Sequence, residues 1–144
     1  MTRLEIDPDD LIAALTFRME VSGASWYLDR ETGNILLDSP DLDELPAGFE
    51  DDPRYLFIQQ IESHDAYEIM QDFVDTLAAG RAADALQRAL EGRKPFRHFK
   101  DTLLDYPELR EDWFKYEQEA ELRQAAEWCR DYDIEPVWRK KAAP

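Results

Sequence analysis

The basic segment at residues 92–100, GRKPFRHFK, has the residue types and spacing to bind an anion. Arg93, Arg97 and Lys100 are spaced at i, i+4 and i+7, so a helix would place them on one face, with His98 beside them on the solvent side. With the free N–H groups of a first helical turn, such a face could bind a phosphate. The alternative, which we favour, is that these bases pair with acidic residues of the same chain.

An acidic segment at residues 38–53 is the second candidate, with seven acidic residues, three prolines and no basic residue. Its spacing does not fit a calcium-binding loop, because Leu45 and Pro46 stand where an oxygen ligand and a glycine are needed. A solvated loop that attracts a basic partner fits better. The candidate docking residues are Asp38, Asp41, Asp43, Glu44, Glu50, Asp51 and Asp52.

Familiar catalytic and cofactor motifs have no support in the sequence. The five glycines are dispersed, so no glycine-rich phosphate loop is present. With one cysteine and two histidines, the chain has no internal disulfide and no two-cysteine metal motif. We expect Cys129 to be a buried, inert thiol on the apolar face of the last helix. The sequence therefore predicts no catalytic residue, no metal and no cofactor, and it disfavours an enzyme.

Composition and charge indicate a globular protein with a strongly acidic N-terminal half. The chain has 144 residues, 44% of them hydrophobic, which fits one domain over residues 1–144. No apolar run approaches the roughly 18 residues of a membrane helix, and the N-terminus shows no secretory signal, so we expect a cytoplasmic protein. Residues 1–75 contain 19 acidic and 4 basic residues, and the remainder is nearly neutral.

The hydrophobic pattern predicts an α+β fold, in which a three-stranded antiparallel sheet is flanked by an N-terminal helix and a C-terminal helical bundle. The strands are expected at residues 25–30, 33–38 and 54–61, in the order of a meander. Gly33 suits the turn of a hairpin between the first two strands. Asp7 is expected to cap the N-terminal helix and Pro95 to begin a later one.

The C-terminal region leaves one boundary open. The apolar stripe of the last helix, which begins at Pro107, shifts near residues 117–121, so this segment is either one bent helix or two pieces. Residues 138–144 are expected to form a frayed tail.

Three motifs resemble those of an uncharacterised family of small acidic bacterial proteins, of the UPF type, with unknown function. They are YLDRETG in the predicted hairpin, MQDF in a helix, and GRKPFRHFKDTL at residues 92–103. The resemblance covers roughly residues 23–134. It implies a shared fold and a bacterial, cytoplasmic origin, and it provides no activity and no catalytic residue.

These observations favour a non-enzymatic interaction or regulatory module whose acidic half docks a basic protein partner. One alternative is a small-anion binder or an enzyme that uses the basic helix start at residues 93–100. Another is a mimic of nucleic-acid charge, or a nucleic-acid-associated protein. Direct binding to nucleic acid is disfavoured, because a net charge of −16 repels phosphates. A homodimer is compatible with a small sheet that has open edges.

Overall fold

The computed structural model describes residues 1–16, 24–39 and 42–139. Its helices and strands, in chain order, are β1 (Thr2–Ile6), α1 (Pro8–Thr16), β2 (Ser25–Asp29), β3 (Ile35–Ser39), β4 (Leu42–Asp43), β5 (Tyr55–Ile58), α2 (Ser63–Thr76), α3 (Arg81–Glu91), α4 (Pro95–Leu103), α5 (Pro107–Asp131) and β6 (Ile134–Trp138). A single 3-10 turn, Phe49–Asp51, lies between β4 and β5.

The predicted α+β fold is confirmed, with β2, β3 and β5 in one antiparallel sheet. The predicted meander is wrong, because the strand order is β4-β3-β2-β5 and β5 pairs with β2 rather than with β3. The short strand β4 pairs with the outer edge of β3. The only edge of the hairpin that then remains for β5 is that of β2.

A second, parallel pair of strands, β1 and β6, was absent from the sequence-based prediction. Thr2 pairs with Ile134 and Ile6 with Trp138, so the partners come from opposite ends of the chain. Whether a segment forms a strand depends on the strand that pairs with it, and the local sequence of β1 or β6 does not show that partner. The tail expected from residue 138 overlaps the last residue of β6, and residues 140–144 lie outside the described part of the chain.

The helix starts follow the capping chemistry of the sequence. The Asp7 carboxylate accepts the backbone N–H of Asp9 at 2.9 Å, which caps α1 as predicted. Helix α4 begins at Pro95, as predicted, and the residue before it, Lys94, has a left-handed backbone with φ of 48°. The segment after Pro107 is a single helix, α5.

The chain divides into two compact units, each with its own hydrophobic core. The first comprises residues 1–61 and 122–144, and its core includes Leu11, Leu28 and Ile58. The second comprises residues 62–121, and its core is built around Phe99 and Trp113. Two such units can fold together or separately, so the single domain expected for residues 1–144 stays a prediction.

Candidate functional site

One face of the antiparallel sheet packs onto the core of the first unit, and the opposite face carries aromatic rings. Side chains alternate along a strand, so Leu28 and Ile58 are buried while Tyr27 and Phe57 point the other way. Tyr27 and Phe57 are cross-strand neighbours, with ring centroids 5.6 Å apart. Phe49, from the 3-10 turn, meets the Tyr27 ring edge-on at 5.1 Å. Phe57 is 48% exposed, so this face presents aromatic surface to solvent.

Besides burial, two carboxylates, those of Asp38 and Glu50, raise the pKa of Tyr27 on the same face. Asp38 follows Leu36 by two residues on β3, and Leu36 pairs with Tyr27, so Asp38 lies on the Tyr27 side of the sheet. Glu50 is next to Phe49 in the 3-10 turn. Burial raises the pKa of the Tyr27 hydroxyl, and the charges of Asp38 and Glu50 raise it further. We call the group the acidic aromatic face; its members are Tyr27, Phe49, Phe57, Asp38 and Glu50.

The chemistry of this face suits a cationic side chain. The faces of tyrosine and phenylalanine rings attract ammonium and guanidinium groups, by about 0.5–1 kcal/mol where the site is exposed. Nearby carboxylates add hydrogen-bond acceptors that match a guanidinium. The Tyr27 ring already contacts the rings of Phe49 and Phe57, so an arginine or lysine side chain would lie on their exposed surface rather than between Tyr27 and either phenylalanine.

A partly buried ion pair joins the turn between β2 and β3 to Arg54, the residue just before β5. Asp29 is 4% exposed, and its two carboxylate oxygens accept hydrogen bonds from Arg54 Nε and Nη2, each at 2.9 Å. The Asp29 carboxylate also accepts the backbone N–H groups of Glu31 at 2.9 Å and Thr32 at 3.4 Å. The bonds from Arg54, followed by those from the turn, lower the pKa of Asp29 to about 2. This pair therefore holds the strands that carry Tyr27 and Phe57.

Gly33 closes the same hairpin in a conformation that excludes a side chain. Its φ is +80°, in the left-handed region. A Cβ at this position would lie 1.8 Å from the backbone oxygen of Glu5 in β1. The turn predicted from the sequence is confirmed, and its glycine also permits the close approach of β1.

The predicted acidic docking residues have several roles. Asp38 and Glu50 belong to the acidic aromatic face, and Asp43 and Asp51 are exposed. The Glu44 carboxylate accepts the backbone N–H of Leu37 at 2.7 Å. Similarly, the Asp52 carboxylate accepts the backbone N–H of Arg54 at 3.0 Å. Asp41 lies outside the described residues.

The predicted basic residues lie on the surface of α4 or just before it. Arg93, Arg97, His98 and Lys100 are all exposed. The Arg97 guanidinium approaches the Asp101 carboxylate at 3.8 Å, an i,i+4 pair on the same helix. An exposed pair of this kind contributes little to stability, typically below ~1 kcal/mol.

Lys100 also lines a groove of about 260 Å³ between α4 and α5. Exposed Leu104 and Phe114 lie on this groove, and the Arg110 guanidinium lies 4.9 Å from the Phe114 ring centroid. Glu117 lines it too; burial raises the pKa of this carboxyl, and the charge of Lys100 lowers it. The groove is thus lined by charges of both signs. Among Arg93, Arg97, His98 and Lys100, Lys100 is the residue that lines it.

Sequence reasoning missed Tyr27, Phe49 and Phe57 as site residues. The alternation of Tyr27 with Leu28, and of Phe57 with Ile58, was a usable signal for two of them, since it puts the aromatic rings on the face opposite the core. Phe49 gave no such signal, because its contact with Tyr27 depends on the path of the loop.

Metal, thiol and membrane chemistry receive no support from the described residues. Within residues 1–16, 24–39 and 42–139, no group of three histidine, cysteine, aspartate or glutamate side chains is arranged to hold a metal ion. Burial raises the pKa of the Cys129 thiol to about 11, so it stays protonated at neutral pH. No helix in that part of the chain is long and apolar enough to span a bilayer.

The fold and the acidic aromatic face define a small acidic α+β protein. The chain belongs to the uncharacterised protein family UPF0158, whose family model matches residues 1–144. This confirms the resemblance seen in the sequence motifs. A relative described as "UPF0158 protein PA5073", from Pseudomonas aeruginosa, is 37% identical, with 97% of this chain and 91% of the relative covered. No solved structure is significantly similar to the chain.

Proposed function

We propose that this protein is a non-enzymatic interaction module whose acidic aromatic face binds a basic segment of a partner protein. One observation carries the proposal: Tyr27 contacts both Phe49 and Phe57 while Asp38 and Glu50 act on its hydroxyl. Aromatic surface beside carboxylates matches arginine and lysine side chains in both shape and charge.

The charge distribution supports a basic partner. Residues 1–75 have a net charge of −15, and the acidic aromatic face lies within them. Such a field accelerates the approach of a positively charged protein and repels phosphate backbones. A basic nucleic-acid-binding protein would be one such partner, and the face would then compete with nucleic acid. A cytoplasmic setting is part of this proposal, since a single buried thiol needs no oxidising compartment.

Binding of a defined basic peptide tests the proposal. The probe is a capped octapeptide in which arginine alternates with valine, titrated into the protein while amide signals are followed by two-dimensional NMR. We expect binding with Kd on the order of 100 µM at ~50 mM salt, weaker at higher salt, with the largest shifts at the acidic aromatic face. The same peptide with glutamate in place of arginine should not bind.

Two charge-neutralised variants separate the face from the general negative field. Asp38→Asn combined with Glu50→Gln should weaken peptide binding about tenfold. Glu108→Gln combined with Glu111→Gln is the matched control, because it removes two exposed charges from α5, and it should change Kd less than about twofold. Equal weakening by both variants would show that the peptide responds only to net charge, and the proposal would fail.

The alternative anion site at residues 93–100 has weaker support. Arg97 is paired with Asp101, and Lys100 faces Glu117, so two of its bases already have acidic neighbours. Thermal-shift screening with phosphorylated metabolites, repeated with Arg97→Glu and Lys100→Glu, tests it directly. A stabilising metabolite whose effect disappears in both variants would favour this alternative over the proposed function.

A further inference from the structure

The two edges of the antiparallel sheet differ in how they are closed. At one edge, β4 pairs with β3, and the Glu44 carboxylate accepts the backbone N–H of Leu37. At the other edge lies β5, and no strand among residues 1–16, 24–39 and 42–139 pairs with its outer side. Its sequence, YLFI, has none of the charged residues or prolines that commonly protect an edge strand.

The register shows which backbone groups of β5 are available. The Arg30 N–H donates to the Arg54 oxygen at 2.8 Å, so this opposed pair is hydrogen-bonded. Antiparallel pairs alternate between bonded and non-bonded, and Phe57 comes three residues after Arg54, so the pair of Phe57 with Tyr27 is non-bonded. The N–H and C=O of Phe57 therefore point away from β2, towards the open edge. The Tyr55 carbonyl points the same way.

We propose that the basic segment binds as an added β-strand along the outer edge of β5, an inference that rests on the function proposed above. Main-chain bonds to Phe57 and Tyr55 would hold the segment, which is the usual source of affinity when a strand adds to a sheet. Alternate side chains of the segment would lie beside the exposed Phe57 ring on the acidic aromatic face. The others would lie on the opposite face, next to Leu56.

Charge selects a basic segment over a second copy of this chain. Two β5 strands paired antiparallel would be related by a two-fold axis normal to the sheet, which brings both acidic aromatic faces to the same side. Asp38 and Glu50 of both copies would then repel each other, in chains that each have a net charge of −16. Exposed Asp51 and Asp52, just before β5, increase the same repulsion. For a basic strand, the same charges are attractive.

The experiment compares the arginine–valine octapeptide with the same octapeptide methylated at every backbone nitrogen. Both have the same side chains and charge, but the methylated peptide cannot donate main-chain hydrogen bonds. We expect methylation to weaken binding by about tenfold or more. At saturation with the unmodified peptide, hydrogen exchange of the Phe57 amide should slow by about tenfold, and exchange in α3 should not change.

The outcomes distinguish this inference from the proposed function. Equal affinity for both peptides, with unchanged exchange at Phe57, would overturn strand addition and leave binding at the acidic aromatic face intact. No binding of either peptide would overturn the proposed function itself. A dimer in sedimentation equilibrium of the free protein, with the Phe57 amide already protected, would assign the edge to a second copy and also overturn the inference.

Discussion

Replacing Asp29 by asparagine tests the clamp that positions the acidic aromatic face. Asparagine keeps the shape of the side chain but removes the negative charge of the carboxylate, whose oxygens accept hydrogen bonds from Arg54 and from the turn. The pKa of Asp29 is lowered from 3.8 to about 2 in the folded protein. At about 1.4 kcal/mol for each pKa unit, the charged form adds about 2 kcal/mol to the stability of the folded state.

The pH dependence follows from the direction of this shift. A carboxyl with a lowered folded pKa contributes fully above its unfolded pKa, and the contribution is lost as the pH falls towards the folded value. The cost of Asp29→Asn should therefore be about 2 kcal/mol at pH 7 and roughly half as large at pH 3. Urea denaturation followed by circular dichroism, at both pH values, measures it.

Glu31→Gln is the matched control for this experiment. Glu31 approaches the same Arg54 guanidinium at 3.1 Å, but its side chain is 69% exposed. Its replacement should cost less than about 0.5 kcal/mol, as expected for a solvated pair. If Asp29→Asn cost no more than Glu31→Gln, or cost the same at pH 3 as at pH 7, the clamp would not be what stabilises this region.

Three further predictions concern other parts of the chain. Burial, followed by the charge of Glu117, raises the pKa of Glu121 to about 7. The free energy of unfolding should therefore fall as the pH rises from about 4.5 to 7. Glu121→Gln should remove this fall and stabilise the protein by about 1–2 kcal/mol at pH 8 in urea titrations. Gly33→Ala should cost more than about 2 kcal/mol in thermal unfolding because its Cβ would meet the Glu5 oxygen, whereas Gly48→Ala, with similar φ and open space, should cost about 1 kcal/mol. Arg97→Gln should change stability by less than about 0.5 kcal/mol in the same assay, and a larger loss would show that its exposed ion pair has been underestimated.

Local chemistry in the sequence was enough to locate the elements that carry the site. Strand propensity predicted β2 and β3, alternation predicted β5, a turn glycine predicted the hairpin, and Pro95 predicted the start of α4. These features depend on neighbours in sequence, so they can be read without knowing the fold. The acidic charge of residues 38–53 likewise pointed to the loop that supplies Glu50.

The remaining features depend on contacts between distant residues. Asp29 reads as an ordinary turn aspartate, and its role appears only when Arg54, 25 residues later, is brought to it. The β1–β6 pair joins the two ends of the chain, and Phe49 reaches Tyr27 through a loop. Charge counts also could not tell that Glu44 and Asp52 bond to backbone N–H groups.

The NMR titration with the arginine–valine octapeptide shows whether the acidic aromatic face binds a basic segment. We expect amide shifts centred on Tyr27, Phe49 and Phe57, and an affinity that falls about tenfold when Asp38→Asn and Glu50→Gln are combined. For the control on α5, we expect less than about a twofold change in affinity. Shifts centred elsewhere, or an affinity unaffected by the Asp38 and Glu50 substitutions, would contradict the claim that this face is the binding site.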